Sequence, residues 1–222
     1  MKICVVTPYF RTPTDWLIQA HRSVREQSVP ASHILVCDGS PPAPIPDFFG
    51  THIILERNYG DYGNTPRLIG CYQAVMQEAE AIAFLDGDNW FHPDHLAGLV
   101  NMAETHSLDI VSSARMLHRL DGSPMLRCPH VDGVRYIDTN CLLVMKPAFR
   151  NLISWVLTSQ EAAAQGDQRL WSFMKAQGAR MGFLNQASIA YRTRHRVHYE
   201  LANEMPPPDA ITRSDLHGAN YH

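Results

Sequence analysis

The chain has 222 residues, 45% of them hydrophobic and 18% charged, an ordinary globular composition with enough length for one sizeable core. A formal charge of −3 and an isoelectric point near 6.4 exclude general electrostatic attraction to nucleic acid or anionic lipid, so any phosphate must be held by a local site. No run approaches the roughly 18 apolar residues of a membrane span, and Met1-Lys-Ile-Cys-Val-Val-Thr-Pro8 lacks the flanks of a signal peptide, so the expected location is the cytoplasm.

Lys2 to Thr7 reads as a buried strand closed by Pro8, and Asp15 to Gln27 as a helix with Trp16, Leu17, Ala20 and Val24 on one face. His33 to Cys37 is a second strand, ending at the sharp loop Asp38-Gly-Ser-Pro-Pro, and His52 to Glu56 a third. The glycine-containing loop Asn58 to Asn64 leads into a helix from Pro66 to about Ala79. After the strand at Ala81 come a helix from Pro93 to Thr105 and a strand at Asp109 to Ser112. Strands alternating with amphipathic helices predict a mostly parallel, Rossmann-like sheet flanked by helices. Short segments then follow at Met116 to Leu120, Met125 to Arg127 and Ile137 to Met145, which predict mixed or antiparallel pairing. Helices at Pro147 to Thr158 and Asp167 to Gln177 and short strands at Met181 to Leu184 and Ala187 to Tyr191 complete a smaller α+β half. The expected organisation is a single domain over 1–204, with a nucleotide-binding half (1–112) and an acceptor-side half (113–204). The proline-rich stretch 205–222 is expected to form a flexible tail or lid. Cys4, Cys37, Cys71, Cys128 and Cys141 are scattered singly, without a C-x-x-C pair, and read as small buried hydrophobes in a reducing compartment.

The densest chemical signal is Ala81-Ile-Ala-Phe-Leu-Asp-Gly-Asp-Asn-Trp90, an apolar run that stops at two carboxylates, Asp86 and Asp88. Interior parallel strands are continuous apolar runs, and open α/β sheets bind ligands at the carboxyl ends of such strands. Mg2+ and Mn2+ take carboxylate oxygens, with phosphate oxygens filling other positions. The ligand implied is a nucleoside diphosphate with its cation.

In motif order the chain from residue 2 to about 198 resembles the inverting glycosyltransferases of family 2, which have the GT-A fold. The matching pieces are Thr7-Pro8-Tyr9, Asp38-Gly-Ser, Asn58-x-Gly60 followed by Arg67, Asp86-x-Asp88, and a helix starting at Gly166-Asp167. Pro66 and Leu68 flank Arg67 where that family often has Ala and Asn, and Cys37 stands where a second acidic residue is frequent. The resemblance implies that Thr7, Pro8, Tyr9, Asp38, Arg67, Asp86 and Gly87 bind the nucleotide. It further implies that Asp88 ligates Mn2+ or Mg2+ together with His195 or His198, an imidazole favouring Mn2+. Asp38 would accept the N3–H of uracil, which favours a UDP-sugar donor, although thymine and guanine offer comparable donors. Asp167 would be the base for the attacking hydroxyl, and Tyr136, Asp138, Thr139 and Asn140 correspond to the acceptor and donor-sugar region. The expected acceptor is a glycan, glycolipid or small hydroxyl compound, with membrane contact only through a lipid-linked acceptor. Two other readings stay open: a sugar-phosphate nucleotidyltransferase, whose glycine-rich loop is replaced by Thr7-Pro-Tyr-Phe-Arg11, and a nucleotide-sugar binding module without turnover.

Overall fold

The computed structural model describes residues 1–40, 42, 44–46, 48–134, 136–157 and 160–212. The first strand, β1 (Ile3–Tyr9), is buried along its whole length. Its alternating residues serve two cores: Cys4 and Val6 face one, Ile3 and Val5 the other. This double burial explains why the strand is an unbroken apolar run. Helix α1 (Thr14–Arg25) returns the chain to β2 (Ala31–Cys37), which pairs parallel with β1, and β3 (Thr51–Ile54) extends the sheet outward. Helix α2 (Asn64–Met76) crosses over to β4 (Ala81–Phe84), which lies parallel to β1 on its other side. The order of direction therefore reverses between β1 and β4, the switch point at which doubly wound sheets open a crevice.

Beyond β4 the chain makes β5 (Trp90–Phe91), α3 (His95–Thr105), β6 (Ile110–His118), β7 (Pro124–Arg127), β8 (Leu142–Met145), α4 (Gly166–Ala176), β9 (Met181–Arg192) and α5 (Arg196–Leu201). All strands join one sheet in the order β3-β2-β1-β4-β8-β6-β9-β5, with β7 on β6. β8 runs antiparallel to both neighbours, β6 and β9 are parallel, and β5 and β7 are antiparallel additions. This is the mixed second half expected, on a mostly parallel first half. Helices α1 and α3 cover one face, and α2 and α4 cover the other with Trp155 and Trp171.

Three local readings change. The two short strands predicted around 109–120 are one strand, β6, and those around 181–191 are likewise one, β9. The polar pair that suggested a break, Asn185 and Gln186, is exposed and skipped in the ladder, which passes from Ser113 opposite Leu184 to Ala114 opposite Ala187. The predicted helix from Pro147 is a 3₁₀-helix over Lys146–Val156. Its buried residues Ala148, Asn151, Leu152, Ser154 and Trp155 recur three and four positions apart, a spacing that an α-helix shares. The predicted end at Thr158 lies outside the described residues, as does 213–222 of the expected tail. Within the described part of that tail, Ile211 bridges His195, with the Arg196 amide donating to Ile211 O at 2.9 Å and the Ile211 amide to Arg194 O at 2.8 Å. Among the described residues no helix is long and apolar enough to cross a membrane.

Candidate active site

The carboxyl ends of β1, β2 and β4 meet around a cavity of about 320 Å³, lined among others by Pro8, Tyr9, Asp38, Arg67, Asp86, Gly87 and Asp88. Thr7 alone of the expected nucleotide-side residues is absent from its wall. Its hydroxyl is buried against His33 Nε2 at 2.8 Å.

Asp38 follows β2, and Gly39 turns the chain with φ +69°, where a Cβ would lie 2.0 Å from the Arg57 carbonyl carbon. That close approach lets the next loop grip the carboxylate. Tyr59 N–H donates to Asp38 Oδ1 at 3.1 Å and Asn58 Nδ2 to Oδ2 at 3.0 Å, leaving other lone pairs directed at the cavity. Burial pushes the Asp38 carboxyl above its usual range despite the Tyr59 bond.

Arg67, in the second turn of α2, is held by the Tyr62 carbonyl at 2.8 Å and pairs with Asp86 at 2.5 Å. Asn140, fully buried, completes this arrangement: its Oδ1 accepts the Asp86 amide at 2.6 Å while its Nδ2 donates to Asp86 Oδ2 at 2.9 Å and Asp138 Oδ1 at 2.8 Å. Asp138 in turn forms a buried ion pair with Arg115 of β6. Asp86 is thus compensated. Asp88 is not: apart from its own amide, its carboxylate receives no hydrogen bond from another described residue, and burial, reinforced by Asp86, raises it to about 7. The Asp88 carbonyl accepts from Arg192, whose guanidinium lies between the rings of Trp16 and Trp90 at 4.5 and 4.8 Å.

The sequence profile described as glycosyl transferase family 2 matches residues 4–151. The chain belongs to that family. Crystal structures of S. aureus TarS have the same fold. Residues 1–349 of TarS give a TM-score of 0.62 at 16% identity, covering 86% of this chain and 60% of that one. TarS 1–349 in complex with UDP gives 0.63 at 15%, covering 91% and 63%. The UDP-GlcNAc complex gives 0.62 at 15%, covering 90% and 61%. The chain therefore spans about three fifths of the length of these solved structures. No curated protein matches its sequence.

The family match ends before Asp167, which opens α4. Gly166 brings this helix start against α2 so closely that a Cβ would stand 2.4 Å from Asn64 Oδ1, and Asn64 Nδ2 donates to Ala163 O at 2.9 Å. Asp167 accepts the Gln168 amide at 2.7 Å. Burial first and Asp138 second raise its carboxyl to about 7, against the pull of Arg67 and Arg115. Asp167 is not in the wall of the first cavity, but it shares electrostatic surroundings with the Asp138–Arg115 pair and with Arg67.

His195 and His198 lie elsewhere. β9 passes Asp88 at Arg192, whose amide donates to Asn89 Oδ1 at 2.8 Å, and α5 then turns into a second cavity of about 780 Å³ with Arg115, His130, Tyr136 and Tyr191. Asp88 lines the first cavity and the two histidines the second, and among the described residues no hydrogen bond or ion pair joins either histidine to Asp88. Burial and the nearby Arg115 hold His198 neutral, down to about 3. Arg194 is spent on an exposed pair with Asp209 at 3.2 Å. Of the two tryptophans considered as sugar platforms, Trp171 is core and Trp90 serves Arg192. Arg115 escaped the sequence because it sits inside the buried strand β6, with no motif around it.

Proposed function

We propose that this protein is an inverting glycosyltransferase that uses a divalent cation to move a sugar from a nucleotide diphosphate, UDP in first preference, to a hydroxyl group. The reading rests above all on the division of labour between the two carboxylates that follow β4: Asp86 is paired with Arg67 and Asn140, while the Asp88 carboxylate in the cleft accepts no hydrogen bond from another described residue. That donor set fits a hard cation. Carboxylate and diphosphate oxygens suit Mg2+ and Mn2+ alike. When bound, the cation supplies Lewis-acid stabilisation of the departing diphosphate. Solved structures of the same fold hold UDP and UDP-GlcNAc, which supports a nucleotide-sugar donor.

On this reading Asp38, already aimed by Asn58 and Tyr59, accepts the base N–H, and Pro8 and Tyr9 form the adjoining wall. A wrong base would leave that buried carboxylate unpaired, which is the source of discrimination. Asp167 takes the acceptor's proton as its oxygen bonds to the anomeric carbon and the bond to diphosphate breaks on the opposite face. A base near 7 is matched to that work at neutral pH. The acceptor is a glycan, glycolipid or small hydroxyl compound, and a lipid-linked one would bring the protein to a membrane surface.

Calorimetric titration of UDP, with and without Mn2+, into wild type and Asp88→Ala tests the assignment. The expected result is Mn2+-dependent binding that vanishes in the variant. Failure of UDP, GDP and dTDP alike to bind wild type would overturn the nucleotide site.

A further inference from the structure

Cys128, His130 and His198 were not drawn together by any motif, yet one ligand atom from each lies within 4.8 Å of the others. Among the described residues this is the one group of three or more Cys, His, Asp or Glu side chains so clustered. We propose that Cys128 Sγ, a ring nitrogen of His130 and Nε2 of His198 hold a Zn2+ ion, a centre separate from the cation at Asp88.

The chemistry of the donors selects the metal: one thiolate and two imidazoles are a borderline-soft set that Zn2+ takes in tetrahedral geometry, and Mg2+ does not. Zn–S and Zn–N bonds of about 2.3 and 2.0–2.1 Å put ligand atoms about 3.5 Å apart, so closure needs a contraction of roughly 1 Å. His130 is exposed and can supply it, whereas Cys128 and His198 are buried and fixed. The Cys128 amide is anchored to Arg115 O of β6 at 3.0 Å. His198 Nδ1 lies 2.7 Å from Thr193 Oγ1, which also accepts the His195 amide at 3.0 Å. That contact orients the ring and leaves Nε2 for the ion, the usual outer-shell arrangement of a zinc histidine. On binding, the Cys128 thiol releases its proton to solvent. The ion ties the segment after β7 to α5. Because His130 and His198 both line the second cavity, the fourth coordination position opens there to water or to an oxygen of a bound molecule.

The reduced full-length protein is titrated anaerobically with Co2+, whose thiolate charge-transfer absorption reports a cysteine ligand, followed by displacement with Zn2+. One equivalent is expected, with the band lost in Cys128→Ser, Co2+ affinity lowered at least about tenfold in His130→Ala, and the band intact in Asp88→Ala. His130 is at the surface, so its variant folds and keeps the test decisive. Absence of the band in folded wild type, its persistence at full affinity in His130→Ala, or its loss in Asp88→Ala would each overturn the proposal. None of these readouts depends on sugar transfer or on UDP binding.

Discussion

At the scale of single residues, two carboxyls, Asp88 in the cleft and Asp167 at the start of α4, lie at about 7 for the same leading reason, burial, but with different second causes, Asp86 for one and Asp138 for the other. For Asp167 this has a kinetic and a thermodynamic consequence. A base works only when ionised, so transfer should rise with pH through about 7, and Asp167→Asn should lower kcat by about 10²–10⁴-fold while UDP affinity in calorimetry stays near wild type. Loss of both activity and binding would remove the base assignment. The folded state holds a proton that the unfolded chain, with an ordinary carboxyl near 3.8, has already released. Stability therefore falls as pH rises from about 4 to about 7. Asp167→Asn should accordingly raise stability at pH 7–8 by at least about 1 kcal/mol and lose that advantage near pH 4, which denaturant unfolding at the two pH values will read. On the proposed reading the catalytic carboxyl is a cost to the fold at neutral pH, as expected where function sets the charge.

Among elements, β1, β2 and β4 were legible because each is buried on both faces, so each appears as an apolar run whose end is marked by a polar residue. The 3₁₀-helix over Lys146–Val156 was misread because an apolar spacing of three is compatible with an α-helix over so short a stretch, and tertiary contacts decide between them. The continuity of β9 was hidden by Asn185 and Gln186, which a local reading takes as a turn and the sheet tolerates as a bulge. The start of α4 depends on a close approach that composition cannot express. Gly166→Ala would drive a methyl into Asn64 and shift Asp167 away from its surroundings. We expect about 1–3 kcal/mol of lost stability, measured by denaturant midpoint, and a fall in kcat with UDP affinity retained. An unchanged kcat would detach Asp167 from catalysis.

For the whole molecule, one sheet carries two cavities: the first at the β1–β4 switch point, the second between β6, β9, α5 and the segment 205–212. Of the described tail residues, Ile211 and Thr212 line the second cavity and none lines the first. Deleting 205–222 should leave UDP binding as it is, speed hydrogen exchange at the Arg196 amide that Ile211 protects, and reduce stability by about 1–2 kcal/mol for the two backbone hydrogen bonds lost. Weakened UDP binding in the truncated chain would show the two halves to be coupled. The sequence by itself determined the family, the parallel half of the sheet and the carboxylates at its edge, because strand burial, turn chemistry and motif order are local properties written along the chain. Only the tertiary structure decided that Thr7 faces inward, that Asn140 and Arg115 underpin Asp86 and Asp138, and that His198 keeps company with Cys128 and His130. These are meetings between residues far apart in sequence, and their partners are fixed by the register of β4, β8, β6 and β9, which no single segment encodes.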